Sequence, residues 1–309
     1  RALGYRFHVF DPGQPSPAGA VADHTTTAPF TDRDALAAFA ADVAAATVEF
    51  ENVPADALRQ LQAAGVAVAP SPEAVATCQQ RVREKTFLRA HGFPHVPFAV
   101  ARSADELAAA LDAVGVPAVL KTAAYGYDGK GQRMLDTRPA DLDAVWQALG
   151  AQELVVEAWC PFEGECSILV ARGWAGEVAA YPLIENLHRH HILHQSIAPA
   201  RYPEPLHREA RDLAIALAEA LDYVGLLAVE LFVTADGLRV NELAPRPHNS
   251  GHLTIEACVT SQFEQHVRAV AGLPLGDASL RSPAVMTNLL GDLWPADGQP
   301  DWATALHDD

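Results

Sequence analysis

The sequence predicts a mixed α/β and α+β protein of about two domains, and three observations predict it. The first seventy residues alternate short β-rich and helical runs, Pro70-Ser71-Pro72 interrupts the chain, and beyond it strands alternate with helices up to a hairpin over 226–243. In the first part, residues 5–10 read as a strand ending at Asp11-Pro12-Gly13, 32–43 as a helix, 46–50 as a strand and 54–65 as a second helix. That βαβα order predicts a parallel sheet. Thr31 followed by Asp34 resembles a capping box, Pro54 suits a first helical turn, and Gly65 suits a helix end. The chain opens at Arg1 without Met, and a preceding strand and turn are expected outside this numbering.

Past the break, helices over 72–80 and 83–90 end at Gly92 and lead into His95-Val96-Pro97. Ser103 with Glu106 caps a helix that Gly115 ends, and 117–122 reads as a strand delivering Lys121 to a glycine-rich loop. A helix over 139–149 precedes a strand at 154–158. Strands fill 163–200, a helix spans 205–221, a hairpin pairs 226–234 with 238–243, and a helix over 255–271 stops at Gly272.

Half of the 309 residues are hydrophobic, 20% are charged and the mean hydropathy is +0.03, the balance of a globular chain rather than a disordered one. The apolar runs 213–221 and 225–233 are short or broken by charge, so no membrane partner is expected; no secretory signal is read at the start. With 22 basic against 39 acidic residues and a net charge of -17, non-specific nucleic-acid binding is disfavoured. Any anionic ligand then needs a locally positive pocket. Cys78, Cys160, Cys166 and Cys258 form no CxxC pair, which suits a reducing cytoplasm.

Only three of the basic residues are lysines, Lys85, Lys121 and Lys130. Ammonium and guanidinium are not interchangeable around phosphate, so these lysines are candidates for point-charge contacts. Lys121 lies five residues before, and Lys130 inside, the run Gly126-Tyr127-Asp128-Gly129-Lys130-Gly131-Gln132, whose glycines let a backbone fold closely around phosphate oxygens. The loop lacks the GKS or GKT ending of a Walker motif, and a plain glycine-rich hairpin turn has the same composition.

The hairpin carries a sharper signal. With Ala235–Gly237 as its loop, Thr234 faces Leu238, Phe232 faces Val240 and Glu230 faces Glu242, with the two Glu Cβ atoms roughly 5 Å apart. Like charges so placed repel unless a cation lies between them, and Mg²⁺ completed by phosphates and water would relieve the conflict. A register slip or bulge would instead send one Glu to solvent. Directly after Glu242 comes Leu243-Ala244-Pro245-Arg246-Pro247-His248-Asn249-Ser250-Gly251-His252, where Arg246 offers a fork for an oxyanion and His248 and Asn249 add directional bonds. His188, His190, His191 and His194 also cluster. On a strand three of them would share a face, as zinc ligands or as nucleotide contacts.

Together these motifs resemble the ATP-grasp superfamily, and within it the 5-(carboxyamino)imidazole ribonucleotide synthetases of purine biosynthesis. The strings that carry the resemblance are Thr47-Val48-Glu49-Phe50-Glu51-Asn52-Val53, the glycine loop, Asn186-Leu187-His188, and the run from Asn241 and Glu242 to His252. It implies a partial pre-ATP-grasp (Rossmann-like) domain over 1–70, an ATP-grasp domain over 71–275 with its smaller lobe at about 95–158, and the start of a small β-rich domain over 276–309. It implies a cytoplasmic homodimer using ATP, Mg²⁺, bicarbonate and 5-aminoimidazole ribonucleotide. By motif, Arg81 and Lys85 precede the first lobe, and Lys121 with Gly126, Asp128, Gly129, Gly131 and Gln132 holds phosphates. Glu157, Ala158, Trp159 and Cys160 line the adenine hinge, Glu165 takes the ribose, His188 contacts the nucleotide, and Glu230 and Glu242 bind Mg²⁺ beside Asn241. Tyr127 and Lys130 approach the ribonucleotide, while Arg246, His248 and Asn249 meet bicarbonate. The family's initial GGGQLGRM-like turn and terminal basic segment do not occur in this sequence, and Lys130 stands where Arg is frequent. A related ATP-grasp ligase, such as a formate-using transformylase or a biotin carboxylase, and a non-catalytic nucleotide- or metal-binding protein share parts of this pattern.

Overall fold

A computed structural model describes residues 2–123, 131–150, 153–294 and 298–307. In the first unit the parallel pairing is present but divided. His8–Phe10 pairs with His24–Thr26, and Ala45–Ala46 with Ala67–Val68, so the expected single sheet is two short pairs. The second predicted strand ends at Ala46 because Thr47 turns its hydroxyl to His266 and Glu51 turns its carboxylate to Arg246. Helix Arg33–Asp42 is capped by Asp32 rather than Thr31: its extended backbone lets the carboxylate accept from the Asp34 and Ala35 N–H groups. Leu36 and Phe39 of that helix meet Leu58 and Leu61 of helix Ala55–Ala63 in a core closed by Val66, Val68 and Val75.

The second unit has two lobes. The smaller is a four-stranded antiparallel sheet in the order Phe98–Ala101, Leu154–Ala158, Ala118–Thr122, Gln132–Leu135. Helices Ala104–Val114 and Leu142–Leu149 bury Leu107, Leu111 and Val145 against Leu120, Leu135 and Val156. Ser103 caps the first of these as expected, although the Glu106 carboxylate accepts from Arg102 N rather than closing a capping box.

The larger lobe is a seven-stranded antiparallel sheet. Its central path runs Gly237–Ala244, Gly225–Thr234, Gly164–Arg172, Ile184–Arg189, Ile192–Ala198, Ala284–Thr287, with Val178–Ala180 also on Gly164–Arg172. Side chains alternate between faces along a strand. Leu227, Val229, Leu231 and Val233 therefore pack on helix Glu204–Ala220, where Ala210, Ala214 and Ala218 allow a close approach. Leu226 and Ala228 face the other way, against Leu253, Ala257 and Cys258. Glu230 lies on this second face, one step beyond its apolar cover.

The predicted helix over 255–271 is broken into Thr254–Ala257 and Gln262–Val270. Between them Cys258 bridges Leu280, the Thr260 N–H donates to Asp277 O, and Ser261 starts a fresh N-cap on Glu264 N. A β-branched pair, Val259-Thr260, followed by a capping serine favours that interruption. From the second helix His266, 4% exposed, joins the two units: its Nδ1 accepts from Leu226 N at 3.0 Å and its Nε2 donates to Thr47 Oγ1 at 2.7 Å.

Burial drives His266 down to about 4 from its ordinary 6.5. The unfolded chain takes up a proton below pH 6.5 that the folded chain refuses until about pH 4, so this contribution is full above 6.5 and is lost as pH falls between those values. Urea unfolding across that window should show stability falling by roughly 3 kcal/mol from this group, with a flatter profile in His266→Gln.

Candidate active site

The hairpin is built differently from the expected one yet reaches the expected pairing. Its loop is two residues, so Thr234 pairs with Gly237, Phe232 with Arg239 and Leu231 with Val240, one step off the predicted register. A bulge between Glu230 and Leu231 then makes Asn241 the extra residue, and Glu230 faces Glu242. The bulge that was expected to separate the carboxylates is what brings them together. Helix Arg81–Ala90 grips it from both sides: Lys85 Nζ donates to Asn241 O at 2.7 Å, and Leu243 N donates to Glu84 Oε2 at 3.0 Å.

Glu84 and Lys85 are each 1% exposed. Burial raises Glu84 to about 8, with Lys85 opposing and Glu242 adding to the rise. Burial also pulls on Lys85, but Glu157 and Glu84 outweigh it and hold the ammonium above its ordinary value. Glu157 sits between two lysines, 3.1 Å from Lys85 Nζ and 2.7 Å from Lys121 Nζ. Although burial opposes ionisation, the two cations keep Glu157 down at about 2. Lys121, on the smaller lobe, is thus aimed by a carboxylate that Lys85 anchors beneath the larger one. Lys85 lies under the cleft floor rather than in the open cleft.

Arg81 donates through Nη1 to Thr122 O at 2.9 Å and places Nη2 4.0 Å from Glu242 Oε2. Burial and the charge of Glu230 push Glu242 up, whereas Glu230 stays below the ordinary carboxylate range because the hydrogen bond it accepts from His248 and the charge of Arg246 overcome burial. Two hard oxygen donors in repulsive proximity, with the buried Asn241 Oδ1 beside them and lacking a partner among the described residues, fit a divalent cation of the Mg²⁺ kind. Among the described residues no group of three or more His, Cys, Asp or Glu side chains is placed to hold a metal, so phosphate or water would have to complete such a site.

Next to Glu230 on its face are Ser167 and, farther along, Glu165, Asn186 and His188. His188 Nδ1 lies 2.9 Å from Glu165 Oε2. The other histidines separate. His190 and His191 form the turn between strands with φ of 51° and 65°, a pair of left-handed positions that takes them off the strand, and His194 falls at a register break, so the expected shared face does not form.

In the loop after the hairpin, Arg246 Nη2 pairs with Glu51 Oε2 at 2.6 Å and His248 Nε2 donates to Glu230 Oε1 at 3.0 Å. Asn249 opens the single-turn helix Asn249–Gly251. Glu51 is the site residue that motif reading gave no role, although it stands in the quoted string over 47–53. An acid lying far from its Arg in sequence gives no local signal.

Residues 158–163 connect the lobes. Ala158 N and Trp159 N donate to Pro97 O and Pro117 O, each at 2.9 Å, while Phe162 stacks on Phe232 with centroids 4.7 Å apart. Cys160 is half-buried there. Of the glycine loop, Gly126, Tyr127, Asp128, Gly129 and Lys130 lie outside the described residues. Gly131 accepts from Thr122 N at φ +70°, where any Cβ would collide with the Thr122 hydroxyl, and Gln132 pairs with Lys121 at the start of the next strand.

A two-lobed cleft, a lysine aimed from the small lobe, and paired carboxylates on adjoining strands of the large one define the ATP-grasp class. The sequence model of the ATP-grasp domain matches residues 86–263, and that of the ribonucleotide synthetase preATP-grasp domain matches residues 1–79. The chain is 44% identical over 293 residues to the N5-carboxyaminoimidazole ribonucleotide synthase of Bacillus subtilis, covering 94% of this chain and 77% of that protein. It superposes with a TM-score of 0.89 and 42% identity on the ADP complex of an N5-carboxyaminoimidazole ribonucleotide synthetase, covering 94% and 77% of the two chains. It matches with a TM-score of 0.83 and 30% identity the Aspergillus clavatus synthase in complex with ADP and 5-aminoimidazole ribonucleotide, covering 94% and 77%. The chain belongs to the N5-carboxyaminoimidazole ribonucleotide synthase family of ATP-dependent ligases.

Replacing Glu157 by Gln leaves Lys85 buried without its nearer counter-charge. Urea unfolding of Glu157→Gln should show a loss of about 3 kcal/mol, well beyond that of an exposed ion pair.

Proposed function

We propose that this chain carboxylates the exocyclic amine of 5-aminoimidazole ribonucleotide at the expense of ATP, with bicarbonate as carbon source and carboxyphosphate as intermediate. The observation that carries the proposal is the Glu230–Glu242 pair, set beside Arg81 and followed at once by the Arg246–His248 loop. Glu230 and Glu242, with Asn241 beside them, would hold Mg²⁺, which when bound neutralises phosphate charge. Lys121, oriented by Glu157, meets the transferring phosphoryl group with a second positive charge. Arg246 offers its fork to bicarbonate, exchanging or sharing the Glu51 carboxylate it now holds, and so orients the attacking oxygen. The bicarbonate oxygen attacks the γ-phosphorus, the bond to ADP breaks, and carboxyphosphate forms. The substrate amine then attacks the carboxyphosphate carbon, releasing phosphate and yielding the carbamate with loss of a proton.

Within this reading, residues 1–70, 71–275 and 276–309 are the three domains, Glu165 and His188 face the nucleotide, and residues 157–160 lie at its base. The enzyme works as a cytoplasmic homodimer. Among the described residues no helix is long and apolar enough to cross a membrane.

ADP release measured with ATP, bicarbonate and 5-aminoimidazole ribonucleotide tests the proposal. Glu242→Gln should lower the rate by at least about 10²-fold while folding normally. Wild-type turnover with glycinamide ribonucleotide and formate, or with biotin, and none with 5-aminoimidazole ribonucleotide would assign the chain to another ligase. Arg246→Lys keeps the charge but loses the fork, and should raise the bicarbonate concentration needed for half-maximal rate by about tenfold, with little change in that for ATP.

A further inference from the structure

Behind His248 runs a buried chain of hydrogen bonds that no part of the mechanism above uses. His248 Nδ1 lies 2.9 Å from Ser250 Oγ, and Ser250 Oγ lies 2.7 Å from Ser167 Oγ. Asn186 Nδ2 donates to Ser167 Oγ at 2.9 Å, and Ser196 Oγ donates to Asn186 Oδ1 at 3.0 Å. Ser167, Ser196 and Ser250 are 0% exposed and Asn186 is 6% exposed. The chain crosses three strands of the large sheet before reaching the catalytic loop.

Both ends of the imidazole are held by groups with a single hydrogen-bonding role. A carboxylate can only accept, so the 3.0 Å contact to Glu230 requires the proton on Nε2. A backbone N–H can only donate, and Ser250 N is directed at Nδ1 at 3.4 Å, so Nδ1 presents its lone pair. The Ser250 hydroxyl must then donate to Nδ1 and accept from Ser167. Ser167 in turn accepts from Asn186, and Asn186 from Ser196, so every donor points the same way. The His248 peptide is fixed as well. Gln262, 0% exposed, accepts from His248 N at 2.9 Å and donates to His248 O at 2.7 Å, and a side chain at Gly251 would strike Gln262 Oε1 at 2.6 Å.

We infer that Ser250, backed by Ser167, Asn186 and Ser196, is a positioning residue that locks His248 as the Nε2-protonated tautomer, so that His248 orients Glu230 as a hydrogen-bond donor and does not take a proton from bicarbonate through Nε2. The consequence for catalysis rests on the function proposed above; the tautomer does not. Random choice between the two neutral tautomers would leave Glu230 facing a lone pair part of the time, and each such episode would release the oxygen that now faces the imidazole.

Long-range ¹H–¹⁵N correlation spectra of the whole chain labelled in histidine test this, with the His248 signals assigned by their loss in His248→Asn. In the wild type Nδ1 should appear unprotonated and Nε2 protonated. Ser250→Ala should move both signals toward an averaged or reversed pattern and lower kcat by about tenfold, with the KM for ATP nearly unchanged, and Ser250→Thr should restore both. If Ser250→Ala does not fold, Ser167→Ala carries the same test, with a smaller shift in the same direction. A wild-type proton on Nδ1, or His248 signals unchanged in both alanine variants, would overturn the inference. A wild-type chain showing the stated nitrogen pattern but no turnover of 5-aminoimidazole ribonucleotide would support it while removing the proposed function.

Discussion

Two like charges held face to face are the constraint on which the site depends. Glu230 and Glu242 gain nothing from each other, so their approach has to be imposed by surrounding structure. The bulge at Asn241 imposes it, and the buried Glu84 and Lys85 hold the bulge through main-chain contacts at 3.0 and 2.7 Å. Lys85 does this while anchoring Glu157, which aims Lys121 across the cleft. One helical turn therefore sets the geometry of the carboxylate pair and of the opposing ammonium. Buried charge is an expensive way to fix geometry, and its use here is consistent with a site in which position matters more than stability.

The faces of the large sheet divide this labour. One is apolar along its length and closes on helix Glu204–Ala220, which makes the strands rigid. The other is apolar only where Leu253, Ala257 and Cys258 cover it, and farther along it carries Glu230, Ser167, Glu165, Asn186 and His188. Polar side chains in that row bond to one another, as with Asn186 to Ser167 and His188 to Glu165. Period-two alternation thus yields a structural face and a chemical face from the same strands.

Much of this was legible in the residues themselves. Ser103, the strands at Lys121 and Glu157, and the facing of Glu230 and Glu242 follow from local chemistry or spacing. The hairpin shows how far such reading goes: the loop length was wrong by one residue, a bulge restored the count, and neither change leaves a mark in a short window. The broken helix at Cys258–Ser261 and the turn at His190-His191 likewise answer to distant partners, Asp277 and Leu280 in the first case and the pairing of two strands in the second.

The sequence by itself determined the fold class, the motifs and the residue types of the site, because capping, alternation and glycine placement act over a few residues. Only the tertiary structure decided that Lys85 lies under the floor, that Glu51 holds Arg246 across 195 positions, and that Ser250 and Gln262 fix His248. All of these but the Ser250–His248 contact join residues far apart in the sequence. They form because burial forces each polar group to find a partner in space rather than along the chain.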